Sequence, residues 1–172
     1  MLNALENAFG GGLMPKVVMV AVAALFFVVA FRMLGGGAAS AGELMSAAEA
    51  HEKATKGEIT LVDVRTPDEW KQTGVPASAH AITMHQDGPK LLAELDRVLG
   101  GDRSKPLAII CRTGNRTGSL AGPLQRAGYT RIIDVSEGVS GSRAGQGWFK
   151  AGLPVRKWAP GQTAPAEVTQ GK

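Results

Sequence analysis

Three short β-rich runs alternate with helical segments, and this order constrains the fold more than any other feature of the chain. Ile59–Val64 stands between Gly57 and Pro67, Pro106–Ile110 is apolar throughout, and Arg131–Val135 is the third run. A strand with no polar face is suited to burial on both sides, as in a parallel sheet covered by helices. Strand–helix alternation of this kind predicts an α/β domain with a mainly parallel central sheet flanked by helices. In such sheets, sites form where loops leave the carboxyl ends of the strands. Cys111, the one cysteine of the chain, follows Ile110 at such a place.

The helical segments carry their own punctuation. Glu43–Thr55 reads as an amphipathic helix with Leu44, Ala47, Ala48 and His51 near one face. Thr66-Pro67-Asp68-Glu69 has the form of a helix start, with a capping hydroxyl, proline at the first position and acids in the first turn. Lys90–Leu99 carries Leu91, Leu92, Leu95, Val98 and Leu99 at helical spacing, and Gly100-Gly101 ends it. Leu120, Leu124 and Ala127 mark a further helix ending at Gly128, and Trp148 falls in a last helical turn or loop before Pro154. Pro123 removes a hydrogen bond to the Ser119 carbonyl and predicts a kink or a shortened helix. His51, His80 and His85 are read as structural.

Composition divides the 172 residues unevenly. Val17 to Phe31 is fifteen residues without a polar side chain. Extended to Leu13–Leu34, the segment is 22 residues, or about 33 Å as a helix, with Lys16 and Arg32 reaching toward the two head-group layers. The expectation is a retained single-pass membrane anchor over 13–34, preceded by a tail over 1–12. A Gly/Ala linker over 35–42 and a globular domain over 43–158 follow, and the Pro-, Gly- and Thr-rich residues 159–172 form a disordered tail. A cleaved signal peptide competes, since Ala39-Ser40-Ala41 has the small-x-small form of a cleavage site. A difference of one charge between the flanks tilts the domain to the periplasmic side, without excluding the cytoplasmic one.

The formal charge of +4 leaves +3 on the residues after 42, with no lysine or arginine run and only five Phe, three Trp and one Tyr. That argues against nucleic acid as a partner. A single cysteine excludes an internal disulfide and any multi-cysteine metal centre, and no metal or cofactor is expected.

Chemistry concentrates in Cys111-Arg112-Thr113-Gly114-Asn115-Arg116. Gly114 and Asn115 allow unusual backbone angles, so that successive N–H groups can turn inward as a nest. A helix beginning near Thr117 adds its positive end, and Arg112 and Arg116 add two permanent cations. A thiol in that field is expected largely as thiolate, and the cradle suits a persulfide or an oxyanion such as thiosulfate. An inert core thiol is the competing reading, against which stand two arginines and two glycines within seven residues.

Leu61-Val62-Asp63-Val64-Arg65-Thr66-Pro67-Asp68-Glu69-Trp70, the Cys111–Arg116 loop, Glu137-Gly138-Val139, and Trp148 with Gly152-Leu153-Pro154-Val155 together resemble the single-domain rhodanese family over about residues 43–156. The resemblance implies the rhodanese α/β fold and a cycle in which a cysteine takes sulfane sulfur from a donor as a persulfide and passes it to a thiophilic acceptor. It makes Cys111 the nucleophile and Arg112, Thr113, Gly114, Asn115 and Arg116 the anion cradle. Asp63, Arg65 and Glu69 become structural, an arginine–carboxylate link from the first strand to the following helix. Implied partners are a small sulfur-containing anion, thiosulfate or persulfide, and a thiol or cyanide acceptor. The anchor adds the lipid bilayer and a membrane protein complex. Phosphatases on related scaffolds place five residues between cysteine and arginine, whereas here there are four. Gly74-Val75-Pro76-Ala77-Ser78-Ala79-His80 departs from the family's usual turn. An enzyme is the first expectation. A low-turnover sulfur carrier or accessory subunit of a membrane complex is the alternative, and a structural subunit with an idle loop is the third.

Overall fold

The computed structural model describes residues 42–165. Its strands are β1 (Glu43–Leu44), β2 (Thr60–Asp63), β3 (Val75–Pro76), β4 (His80–Ala81), β5 (Leu107–Ile110), β6 (Ile132–Asp134) and β7 (Val155–Arg156). Five of them form one sheet in the order β1-β6-β5-β2-β4, and all its pairings are parallel. β3 and β7 pair antiparallel as a separate ribbon. The helices are α1 (Ala47–Thr55), α2 (Pro67–Thr73), α3 (Gly88–Leu99), α4 (Asn115–Arg126) and the single turn α5 (Gly147–Lys150). This is the α/β architecture with a parallel central sheet flanked by helices that the alternation predicts.

Period-2 alternation divides the strand side chains between two cores. Leu61, Ala108, Ile110, Ile133 and Val135 pack with Ala47 and Ala50 of α1, Trp70 of α2 and Trp148 of α5. Val62, Val64, Leu107, Ile109 and Ile132 pack with Leu91, Leu95 and Leu99 of α3 and Leu120, Ala121 and Leu124 of α4. All four residues of β5 are buried, which accounts for its unbroken apolar run. Each such aliphatic side chain stabilises the fold by about 1.5–3 kcal/mol. β5 lies at the centre of the sheet, and its carboxyl end leads into Cys111.

Local chemistry sets the helix starts. Thr66 accepts from Glu69 N while the Glu69 carboxylate accepts from Thr66 N, a complete capping box. Asp87 caps α3 through Lys90 N, and Gly100 closes that helix in the left-handed conformation at φ 67°. The helix expected over Glu43–Thr55 begins later. Ser46 caps it, and Glu43–Leu44 is drawn off to pair with Ile133–Asp134 of β6. Sequence periodicity does not register that pairing, because the demand for it comes from the open edge of β6. α4 runs unbroken through Pro123 to Arg126. Burial of Thr117, Leu120, Ala121 and Leu124 along one face holds it together where the proline removes a hydrogen bond.

One expectation changes. The membrane localisation is corrected: no helix among the described residues is long and apolar enough to cross a membrane. The anchor over 13–34, the tail over 1–12 and the candidate cleavage site at Ala39-Ser40-Ala41 lie outside the described residues. Of the stretch expected as a tail, 159–165 is among the described residues. Ala81 N donates to Thr163 O at 2.8 Å, and Gln162 N donates to Ala159 O in a turn.

Candidate active site

β5 delivers Cys111 to the carboxyl edge of the sheet, between β2 and β6. The residue is 1 % exposed and belongs to the core shared by α3 and α4. The chain then turns through Arg112, Thr113 and Gly114 and enters α4 at Asn115. Gly114 occupies the N-cap at φ 86°, a conformation that L side chains rarely adopt, and a Cβ there would collide with the Ser136 carbonyl. No side chain caps α4. Gly114 N instead donates to Cys111 Sγ at 3.2 Å.

The loop is held from beneath by main chain. Val139 N donates to Cys111 O at 2.9 Å and Ser140 N to Arg112 O at 3.0 Å. Gly138, at φ 67°, lies so close that a Cβ would strike the Arg112 carbonyl and Thr113 N. Glu137 braces the same segment, accepting from Gly147 N at 3.0 Å. Thr117, fully buried in the first turn of α4, sets its Oγ1 3.9 Å from Cys111 Sγ and donates to Gly114 O at 2.8 Å.

The arginines and acids arrange themselves differently from the grouping in sequence. Arg112 is exposed, and its side chain makes no hydrogen bond or ion pair with a described residue. Arg116 is clamped: its Nη1 and Nη2 donate to Glu69 Oε2 and Oε1 at 2.7 and 2.6 Å. This two-pronged pair, with help from Thr66, holds the Glu69 carboxyl down at about 2, and the same pair raises the Arg116 guanidinium. Glu69 therefore ties α2 to the cysteine loop rather than to the first strand. Asp63 and Arg65 form their own buried pair, with Arg65 Nη2 to Asp63 Oδ2 at 2.6 Å. Arg65 also reaches Thr73 Oγ1 at 2.8 Å and Gly74 O at 2.7 Å, so it secures the far end of α2. Thr113 and Gly114 are half-buried and Asn115 is exposed on the loop rim.

Two neighbours escaped the sequence reading, and one was given the wrong partner. Glu69 was expected in an arginine–carboxylate link from the strand, whereas its arginine is Arg116 of the loop. His85, whose Nε2 lies 3.5 Å from Arg116 Nη1, arrives from the loop after β4. Thr117, in the first turn of α4, sets its hydroxyl near the cysteine sulfur. Among the described residues, no group of three His, Cys, Asp or Glu side chains is placed to hold a metal ion.

The domain that carries this arrangement is similar to known proteins. The family described as Rhodanese-like domain matches residues 46–144. The chain belongs to that family. An uncharacterized protein of Rickettsia rickettsii is 32% identical over 106 residues, spanning 55% of this chain and 80% of that one. A sulfurtransferase of Allochromatium vinosum is 29% identical over 98 residues, 57% of this chain and 78% of its own length. Among solved structures, the polysulfide-sulfur transferase homodimer of Wolinella succinogenes superposes with a TM-score of 0.51 at 25% identity, covering 78% of this rhodanese-like chain and 93% of its own. Family and relatives support a role in sulfur transfer at the level of the family.

Proposed function

We propose that this rhodanese-like protein is a sulfurtransferase with Cys111 as its nucleophile and thiosulfate or a persulfide as donor. The observation that carries the reading is the Gly114 N–H donating to Cys111 Sγ at 3.2 Å, in a loop pinned on the backbone of residues 138–140. A fixed donor aimed at sulfur stabilises negative charge there without reorganisation during the reaction. The Cys111 thiolate attacks the outer sulfur of thiosulfate, the S–S bond breaks, and sulfite leaves with the electron pair. Cys111 is then a persulfide. A cyanide or thiolate acceptor attacks the terminal sulfur, releasing thiocyanate or a new persulfide and restoring the Cys111 thiolate. Arg112, exposed on the rim, meets the incoming anion, while the backbone and side chains of Thr113, Gly114 and Asn115 line the approach. Arg116, its charge shared with Glu69, positions the loop.

The 1 % exposure of Cys111 favours a second reading, a carrier loaded and unloaded by protein partners and slow with small molecules. Steady-state thiocyanate formation from thiosulfate and cyanide, together with the mass of Cys111 after donor treatment, separates the two. Catalytic turnover and a one-sulfur adduct support the enzyme. The adduct without turnover supports the carrier, and neither signal refutes both. Cys111→Ser abolishes adduct and turnover together.

A further inference from the structure

A groove of about 340 Å³ lies between the far end of α2 and β7, in the size range of small-molecule sites. Trp70, Lys71, Arg156, Lys157 and Trp158 line it, and no acidic residue does. Its walls are fixed. Gly74, at φ 78°, lies so near β7 that a Cβ would strike Val155 and the Arg156 carbonyl, and Arg65 holds Thr73 and Gly74. The centroids of the Trp70 and Trp158 rings are 5.3 Å apart, with the planes tilted by 51°. Among the described residues, four buried side-chain N and O atoms lack a hydrogen-bond partner, and three of them belong to this groove: Trp70 Nε1, Arg156 Nε and Trp158 Nε1. All three are donors. Burying a donor without an acceptor forfeits its hydration with nothing in return, so such groups are rare. Trp148, the remaining tryptophan, is by contrast satisfied, its Nε1 donating to Pro154 O at 2.9 Å. Arg156 also lacks a counter-charge. Its one hydrogen bond to a described residue runs from Nη2 to Ala79 O at 3.3 Å, and Asp63, whose charge reaches it through space, is already paired with Arg65.

We propose that this groove binds a small organic carboxylate, at a site separate from Cys111. A carboxylate presents two oxygens in one plane and matches the edge of a guanidinium with two parallel hydrogen bonds. Its oxygens keep lone pairs for the two indole N–H groups, and its charge is the counter-ion that Arg156 lacks. Lys71 and the exposed Lys157 make the approach positive. The indole rings and Val155, which is 42 % exposed, offer apolar surface to the body of the ligand. The three nitrogens are closed to water, so the ligand reaches them as the half-buried Trp158 tilts away from Trp70. An uncharged ligand leaves the guanidinium uncompensated, and an inorganic oxyanion leaves the ring faces unused.

The site is independent of sulfur transfer, and its test reads the donors directly. Each tryptophan of the full chain gives one indole N–H signal in heteronuclear NMR spectra. Sodium benzoate is titrated at constant ionic strength, with benzamide and sodium sulfate as parallel arms. Benzoate moves the Trp70 and Trp158 signals saturably and downfield, as N–H groups move on gaining an acceptor, and leaves Trp148 in place. Benzamide and sulfate move them far less. R156M keeps much of the side chain without its charge and weakens benzoate binding about tenfold or more, the loss expected for a hydrogen bond to a charged group. An unchanged Trp148 signal reports that this variant is folded, and the wild-type arms require no variant at all. Four results overturn the proposal: no movement of the Trp70 and Trp158 signals, equal movement of all three indoles, equal movement with benzamide or sulfate, or undiminished binding by folded R156M.

Discussion

Replacing Arg65 by Met tests how the base of the site is held. Asp63 is wholly buried and Arg65 is 1 % exposed. The guanidinium gives Asp63 its Nε contacts at 3.0 Å and an Nη2 contact at 2.6 Å, and it also holds Thr73 and Gly74 at the end of α2. Methionine fills much of the volume and supplies none of these donors. Asp63 then keeps only the Arg65 backbone N–H at 3.0 Å. Removing one partner of a buried ion pair costs about 3–5 kcal/mol, because the other charge stays buried without compensation. Against a domain stability of about 5–15 kcal/mol, that is a large fraction. At about 4 °C per kcal/mol, the midpoint of thermal unfolding falls by about 12–20 °C. Urea unfolding followed by the fluorescence of the buried Trp70 and Trp148 measures the loss directly. The double variant D63N/R65M should lose about 1–3 kcal/mol less than the two single losses added together, since each partner harms the fold mainly by stranding the other. A cost below about 1 kcal/mol for R65M, or strict additivity in the double variant, refutes the reasoning.

Glu69→Gln removes a carboxyl held at about 2 by Arg116. After allowance for a pair one-quarter exposed, it costs about 1–2 kcal/mol. Because the folded carboxyl is depressed below its ordinary 4.5, this stability is present above pH 4.5 and lost as pH falls through about 2; a pH series of urea midpoints shows that component in the wild type and not in E69Q. Gly138→Ala places a Cβ against Arg112 and Thr113 at positive φ, costing about 2–5 kcal/mol from the left-handed conformation and overpacking together. Its signature is a changed Cys111 alkylation rate in protein that is still folded by circular dichroism. Thr66→Ala opens the capping box of α2 and costs about 1 kcal/mol in urea unfolding.

Much of the fold was legible because its strands are apolar runs with clear punctuation. Pro106–Ile110 announces a buried strand, and Thr66–Glu69 announces a helix start from local chemistry alone. The short strands β1, β3, β4 and β7 left no such mark. Each is two residues long and exists because a neighbouring edge offers hydrogen bonds, as β6 does for Glu43–Leu44. At the site, the cysteine and its glycine were readable from the loop itself. The partnership of Glu69 with Arg116 was not, because 47 residues separate them and nothing local distinguishes Arg116 from Arg65 as the acid's mate.

The contacts of Gly114 with the Ser136 carbonyl and of Gly138 with the Arg112 carbonyl are contacts of main chain with main chain. At these two points the contour that surrounds the sulfur is set by backbone and does not depend on the exposed side chains displayed around it. Arg112 and Asn115 face outward from that contour and can be exchanged without disturbing it. Exposed residues at this rim can thus change while the two glycines keep the Cys111 sulfur where it is.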